Sequence, residues 1–236
     1  MKTTLLLSLS ATVLLTFSLS AQTISIRAGN LIDPATGAVA KNQTILVRDG
    51  NIASVGANTE VPKDAQVVDL SRAWVMPGLM DAHTHLLLTS YTSVGGLEAS
   101  YVRESTGFRT LLGARNARAV LEAGFTTVKD IGNAANYGDV DLRRAIERGW
   151  AVGPTMLTVG KIIAPFGGQS RNISPEQPHT WEYEYVTADS PDEVRKAVRQ
   201  NICTGQMPSS LSATTAASII PSKKSSRRSQ RRTSRA

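Results

Sequence analysis

A chain of 236 residues can bury one large core or two small ones, so composition does not force a disordered or fibrous reading. Its formal charge of +7 suggests a nucleic-acid or membrane partner, but residues 203–236 alone hold seven Lys or Arg and no acid, leaving 19 of each sign in the other 202 residues. The body is therefore neutral, and Cys203, the single cysteine, excludes an intrachain disulfide.

Residues 1–21 combine a basic start at Lys2, an apolar stretch from Leu5 to Leu19 and small residues at Ser18, Ser20 and Ala21. This pattern predicts a secretory signal peptide cleaved near Ala21, too short and serine-broken to span a membrane. No cysteine stands near the cleavage point to carry a lipid anchor. The chain is expected to be exported to a periplasmic or extracellular space.

Four β-rich stretches follow: Thr23 to Arg27, Thr44 to Arg48, Asn51 to Val55 and Gln66 to Leu70. Asp33-Pro34-Ala35-Thr36-Gly37 reads as a turn between them. Asp49-Gly50 is a strong hairpin signal between Ile45-Leu46-Val47 and Ile52-Ala53-Ser54-Val55. Residues 22–75 are thus predicted to form a small β module.

From residue 76 the rhythm changes to alternating strand and helix. Strands are predicted at Leu79 to His83, Phe125 to Lys129 and Thr155 to Val159. Helices are predicted from Thr106 to Glu122, ended by Gly124, and from Val140 to Arg148, ended by Gly149. A long loop then runs to Ser190-Pro191-Asp192-Glu193, which opens a last helix. There Ser190 is the N-cap, Pro191 the first helical residue and Glu193 the partner in a capping box. Such alternation implies parallel strands in an open α/β sheet or a barrel. Three units are visible where a closed barrel has eight.

His83 and His85 stand two apart at the end of the first of these strands, after Pro77-Gly78. Residues two apart on a strand share a face, so both imidazoles can reach one metal ion. The competing reading is two polar histidines at a strand end. Their place at the C-terminal end of a strand, where barrel enzymes build active sites, favours the metal. Asp81 reads as a strand-start or supporting residue, and Lys129-Asp130 as a supporting ion pair. His179 lies in a polar stretch and reads as a surface residue. Lys161 reads as structural, and Gly167-Gly168 lacks the following Lys-Ser/Thr of a phosphate loop.

Several segments, in order, carry a wider likeness: Gly29-Asn30-Leu31-Ile32-Asp33, Ile45-Leu46-Val47-Arg48-Asp49-Gly50-Asn51-Ile52, Val75 through His85, and Gly124-Phe125-Thr126-Thr127-Val128-Lys129-Asp130. Through them residues 24–202 resemble the N-terminal part of the metal-dependent amidohydrolases, in the imidazolonepropionase-like and Xaa-Pro dipeptidase-like branch. The resemblance implies a β-sandwich portion over residues 22–75 and the first part of a TIM (β/α)8 barrel over residues 76–202. It implies one or two zinc ions, with His83 and His85 as the first-strand metal ligands. It also implies a small-molecule or dipeptide substrate whose C–N bond is hydrolysed, with oligomerisation left open. The family's other ligands (a carboxylated lysine or glutamate, two single histidines and an aspartate) come from later strands, so the catalytic residues are expected downstream of this chain.

Residues 203–236 abandon this pattern: 13 of the 34 are Ser or Thr, and no helical or strand period survives. At face value the tail is disordered. One alternative function is then a non-catalytic exported protein whose tail binds nucleic acid or an anionic surface, although no aromatics interleave with the basic residues. A second account begins from the strand with which the family resumes, of Gly-Ala-Asp-x-Ile-Lys type. Read from the last base of the Gly205 codon, permitted codons for the following residues give Ala-Asp-Ala-Ile-Lys-Leu-Val-Gly-Asp. The Ala drawn from the Met207 and Pro208 codons is forced. A one-base frame change is therefore expected to have replaced the fourth strand, and the chain is expected to be a truncated, inactive piece of such an enzyme.

Overall fold

Asp49 and Gly50 both have positive φ, 50° and 75°, the backbone of a two-residue hairpin whose twist matches its flanking strands. The computed structural model describes residues 23–88, 103–132, 135–166, 176 and 180–205. These divide between Pro77 and Gly78 into two units. The segment predicted as a signal peptide, His179, Gly167-Gly168 and residues 206–236 lie outside the described residues.

The first unit holds β1 (Thr23–Ile32), β2 (Val39–Arg48), β3 (Asn51–Gly56) and β4 (Gln66–Val75). They form one sheet in the order β3-β2-β1-β4, antiparallel except for the parallel β1–β4 pair. The first two strands run twice as long as sequence pattern predicts. The reason is the turn at Asp33–Gly37: Asp33 accepts from the Ala35 N–H at 2.9 Å and the Thr36 hydroxyl at 2.8 Å. That tight reversal lets the ladder start at Ile32 opposite Val39, carrying the polar Lys41 to Gln43 stretch into the strand. The described residues of this unit make a single four-stranded layer. Ala28, Ile45 and Leu46 are buried in it, while Ile52, Val55 and Val67 are exposed.

The second unit begins with β5 (Leu79–Thr84), α1 (Thr106–Glu122), β6 (Phe125–Asp130), α2 (Gly138–Glu147) and β7 (Thr155–Thr158). The strands form a parallel sheet in the order β5-β6-β7. A helix lies between each pair along the chain, as parallel neighbours require. This is a mixed α/β arrangement. Ser105 caps α1 by accepting from the Phe108 N–H at 3.2 Å. Leu87, Ala117, Val128, Leu142 and Met156 form the core between sheet and helices.

The predicted loop before the last helix contains structure that sequence pattern misses. Short β8 (Ile162–Ala164) and β9 (Tyr185–Thr187) pair in parallel, with a 3-10 turn at Thr180–Tyr183 before β9. Helix α3 (Pro191–Cys203) buries Ala197 against this pair through Ile163 and Ala188. Its capping is close to prediction: Ser190 accepts from the Glu193 N–H at 3.3 Å. The return bond differs, because Glu193 accepts from the Asp189 N–H at 2.8 Å, one residue earlier than in a standard capping box. No described helix is long and apolar enough to cross a membrane.

Candidate metal site

Strand β5 delivers His83 within the strand and His85 one residue past its end. Their ring centroids lie 5.0 Å apart with the planes inclined by 68°. His83 is exposed and His85 half-buried. The sequence-predicted pair is therefore brought side by side.

His85 Nδ1 lies 2.9 Å from the carbonyl oxygen of Gly132. A carbonyl only accepts, so Nδ1 carries a proton in this contact, and in the neutral ring Nε2 is left with its lone pair. That is the tautomer in which a histidine offers Nε2 to a metal while its other nitrogen is anchored. Gly132 has φ +63°, and a Cβ there would stand 2.7 Å from Ile162 Cδ1 and 2.9 Å from Glu184 Oε1. Glycine is favoured by the left-handed backbone turn that presents the carbonyl, while the atoms beside it are the movable ends of the Ile162 and Glu184 side chains.

The segment after β6 holds the end of β5 in other ways. Asp130 Oδ1 accepts from the Thr84 hydroxyl at 3.0 Å and from the Leu86 N–H at 2.8 Å. The Ile131 N–H donates to the Thr84 carbonyl at 2.9 Å. From α1, Asn116 Nδ2 donates to the Leu86 carbonyl at 2.8 Å. Sequence reading assigns none of this to Asp130, for which it offers only Lys129 as a partner. It gives Gly132 and Asn116 no role. One signal was available: an aspartate ending the strand next to the His-x-His strand falls level with Thr84 in a parallel pair.

Asp81 accepts from the His83 N–H at 3.0 Å. Lys161 Nζ donates to the Glu182 carbonyl at 2.6 Å and lies 5.3 Å from the centre of the Tyr137 ring. Burial lowers its pKa, opposed by the Glu182 carboxylate.

A second polar cluster joins α2, α3 and the segment after β7. Asp139 is buried and accepts from the Gly160 N–H at 3.0 Å. Burial pushes its carboxyl up to about 6, against the pull of its backbone hydrogen bonds and Arg143. Asn201, also buried, accepts from the Tyr137 hydroxyl at 2.9 Å and donates to the Lys161 carbonyl at 2.8 Å.

The chemistry of the histidine pair fits a divalent ion such as zinc, which takes neutral imidazole readily. It fits as part of a site. Among the described residues, no three His, Cys, Asp or Glu side chains converge on one point.

The sequence pattern of the amidohydrolase family matches residues 74–215. A dihydroorotase from Anaeromyxobacter dehalogenans (strain 2CP-C) is 33% identical over 150 residues, which cover 61% of this chain and 30% of that protein. The ochratoxinase of Aspergillus niger is 29% identical over 205 residues, 77% of this chain and 40% of that protein. A crystal structure of a Xaa-Pro dipeptidase with methionine bound in its active site is similar with a TM-score of 0.67 and 27% identity, over 78% of this chain and 45% of that one. In each case the chain spans less than half of its relative. The matched segment opens just ahead of β5 and includes both histidines and the residues that hold them, and on that ground this chain belongs to the amidohydrolase family.

Proposed function

We propose that this chain carries the first-strand metal ligands, His83 and His85, of an exported zinc-dependent hydrolase. Its substrates are cyclic amides or small peptides, cleaved at a C–N bond. The observation that carries the reading is the contact of His85 Nδ1 with the Gly132 carbonyl, which in the neutral ring leaves the Nε2 lone pair for a metal, with the His83 and His85 ring centroids 5.0 Å apart. Membership of the amidohydrolase family supports it, as do relatives named dihydroorotase, ochratoxinase and Xaa-Pro dipeptidase. A bound divalent ion supplies Lewis acidity toward a carbonyl and acidifies water. The chain's own contribution is to hold two imidazoles side by side at the end of β5, with the Gly132 carbonyl anchoring Nδ1 of His85.

Two histidines hold zinc weakly, because catalytic zinc sites use three protein ligands or more. We therefore read β5, β6 and β7 as the opening strands of a TIM barrel whose later strands complete the site. We read the serine- and arginine-rich tail as the product of a one-base frame change that replaced the fourth strand and its lysine. On this reading the chain alone is inactive.

Zinc content of the purified chain, measured beside that of a frame-restored version, tests the reading. The restored protein is expected to hold stoichiometric zinc and to lose it on His83→Ala or His85→Ala. Equal zinc in the restored protein and both variants would sink the ligand assignment. Resequencing the gene tests the frame separately: a verified frame with no amidohydrolase sequence downstream removes that account.

A further inference from the structure

The geometry points to Asp130 as a positioning residue for His85, an inference that rests on the metal-ligand reading of the histidine pair. Asp130 is fully buried at the end of β6. A single oxygen of its carboxyl, Oδ1, takes the hydroxyl of Thr84 and the N–H of Leu86. These are the residues immediately before and after His85. One acceptor atom thus grips the chain on both sides of the imidazole, at the point where β5 ends and regular ladder bonding stops.

The rest of the segment extends that grip to the ring. The Asp130 carbonyl accepts from the Val159 N–H at 3.2 Å, fixing Asp130 to the segment after β7. Two residues on, the Gly132 carbonyl takes His85 Nδ1. Asn116 holds the Leu86 carbonyl from α1, so Leu86 is held through both its N–H and its carbonyl. Residues 130 to 132 therefore set the backbone before His85, the backbone after it and the ring's tautomer together.

A purely architectural carboxyl would give a different signature. Burying a polar group is costly unless it is hydrogen-bonded, and a carboxyl serving only to close a turn affects stability alone. A carboxyl that positions His85 also controls which ring nitrogen carries the proton and how well Nε2 meets a metal. Removing supporting groups of this kind weakens metal binding by roughly 10- to 100-fold.

The test uses the full 236-residue chain with 15N-labelled histidine, reading the His85 tautomer by two-bond NMR correlations and cobalt(II) binding by titration. Wild type is expected to show one Nδ1–H tautomer at His85. Asp130→Ala is expected to give a tautomer mixture and cobalt binding about 10- to 100-fold weaker. Asp130→Asn, which keeps an acceptor oxygen, is expected to recover most of both. An Asp130→Ala chain that is folded by its amide spectrum and keeps the single tautomer overturns the proposal. Should that variant fail to fold, Thr84→Val decides, since it leaves the carboxyl and its bond to Leu86 in place. A loosened ring then supports the proposal and an unchanged ring overturns it. If wild type takes no measurable cobalt, as two histidines alone allow, the tautomer decides the hold of Asp130 on His85, and the ligand reading stands or falls separately on the zinc content of the frame-restored protein.

Discussion

Thr84 and Asp130 face each other across the β5–β6 pair, and their side chains close the gap, with Thr84 Oγ1 3.0 Å from Asp130 Oδ1. A parallel ladder usually joins strands through backbone alone. Here a side-chain bond is added at the last paired position, one residue before His85. Thr84→Val removes the donor and leaves a buried carboxyl with one partner fewer. We expect a loss of about 0.5–1.5 kcal/mol, the usual net worth of one hydrogen bond, because the carboxyl keeps its bond to the Leu86 N–H. Denaturant midpoints of the two chains at one pH measure it.

Gly132→Ala puts a Cβ on a residue with φ +63° and within 2.7 Å of Ile162 Cδ1. The left-handed conformation alone costs a non-glycine residue about 1–2 kcal/mol, and relief of the overlap adds to it. The backbone is expected to move and to withdraw its carbonyl from His85. A thermal melt reads the stability loss, and the His85 Nδ1 chemical shift reads the lost acceptor.

Asp139 gives a pH prediction. Its carboxyl titrates near 6 in the folded chain against 3.8 ordinarily, because burial disfavours the charge. Protonation thus favours the folded state: the contribution is fully present below 3.8 and lost as pH rises through about 6. At about 1.4 kcal/mol per unit, the full span is on the order of 3 kcal/mol. Asp139→Asn keeps an acceptor for the Gly160 N–H without the charge. Urea midpoints from pH 4 to 7.5 should fall with pH in wild type relative to the variant, and a constant difference contradicts the assignment.

Asn201 is expected to govern how α3 is held. Its replacement by Ala leaves the Tyr137 hydroxyl and the Lys161 carbonyl without their partner. A loss of about 2 kcal/mol follows from two neutral buried bonds. Amide hydrogen exchange should accelerate across Pro191–Cys203 more than across α1.

How much of this was legible in the sequence depended on the range over which each signal acts. Asp49-Gly50 and Ser190-Pro191-Asp192-Glu193 fix backbone conformation within a few residues, and both turns formed where expected. The His83-x-His85 spacing is likewise local, since strand alternation puts both rings together. β8 and β9 escaped because three-residue strands have no period to detect, and each is defined only by pairing with the other. Asp130 and Gly132 escaped for a related reason. Their roles arise from contacts with residues 44 to 47 positions away, which no local pattern of charge or hydropathy encodes. The long reach of β1 and β2 was hidden by polar residues at Lys41 to Gln43, which look like a loop until the turn at Asp33 commits them to the ladder.

The bonds of Asn201 also impose a timetable. Its two partners precede it by 64 and 40 residues. As the chain emerges from its N-terminus at about 5–20 residues per second, the Lys161 carbonyl waits roughly 2–8 s before Asn201 is available. Until then the segment after β7 and the N-terminal end of α2 lack the partner that half-covers them in the finished unit. Docking of α3 is thus the late step, and a chaperone that shields the Tyr137–Lys161 region would act in that interval.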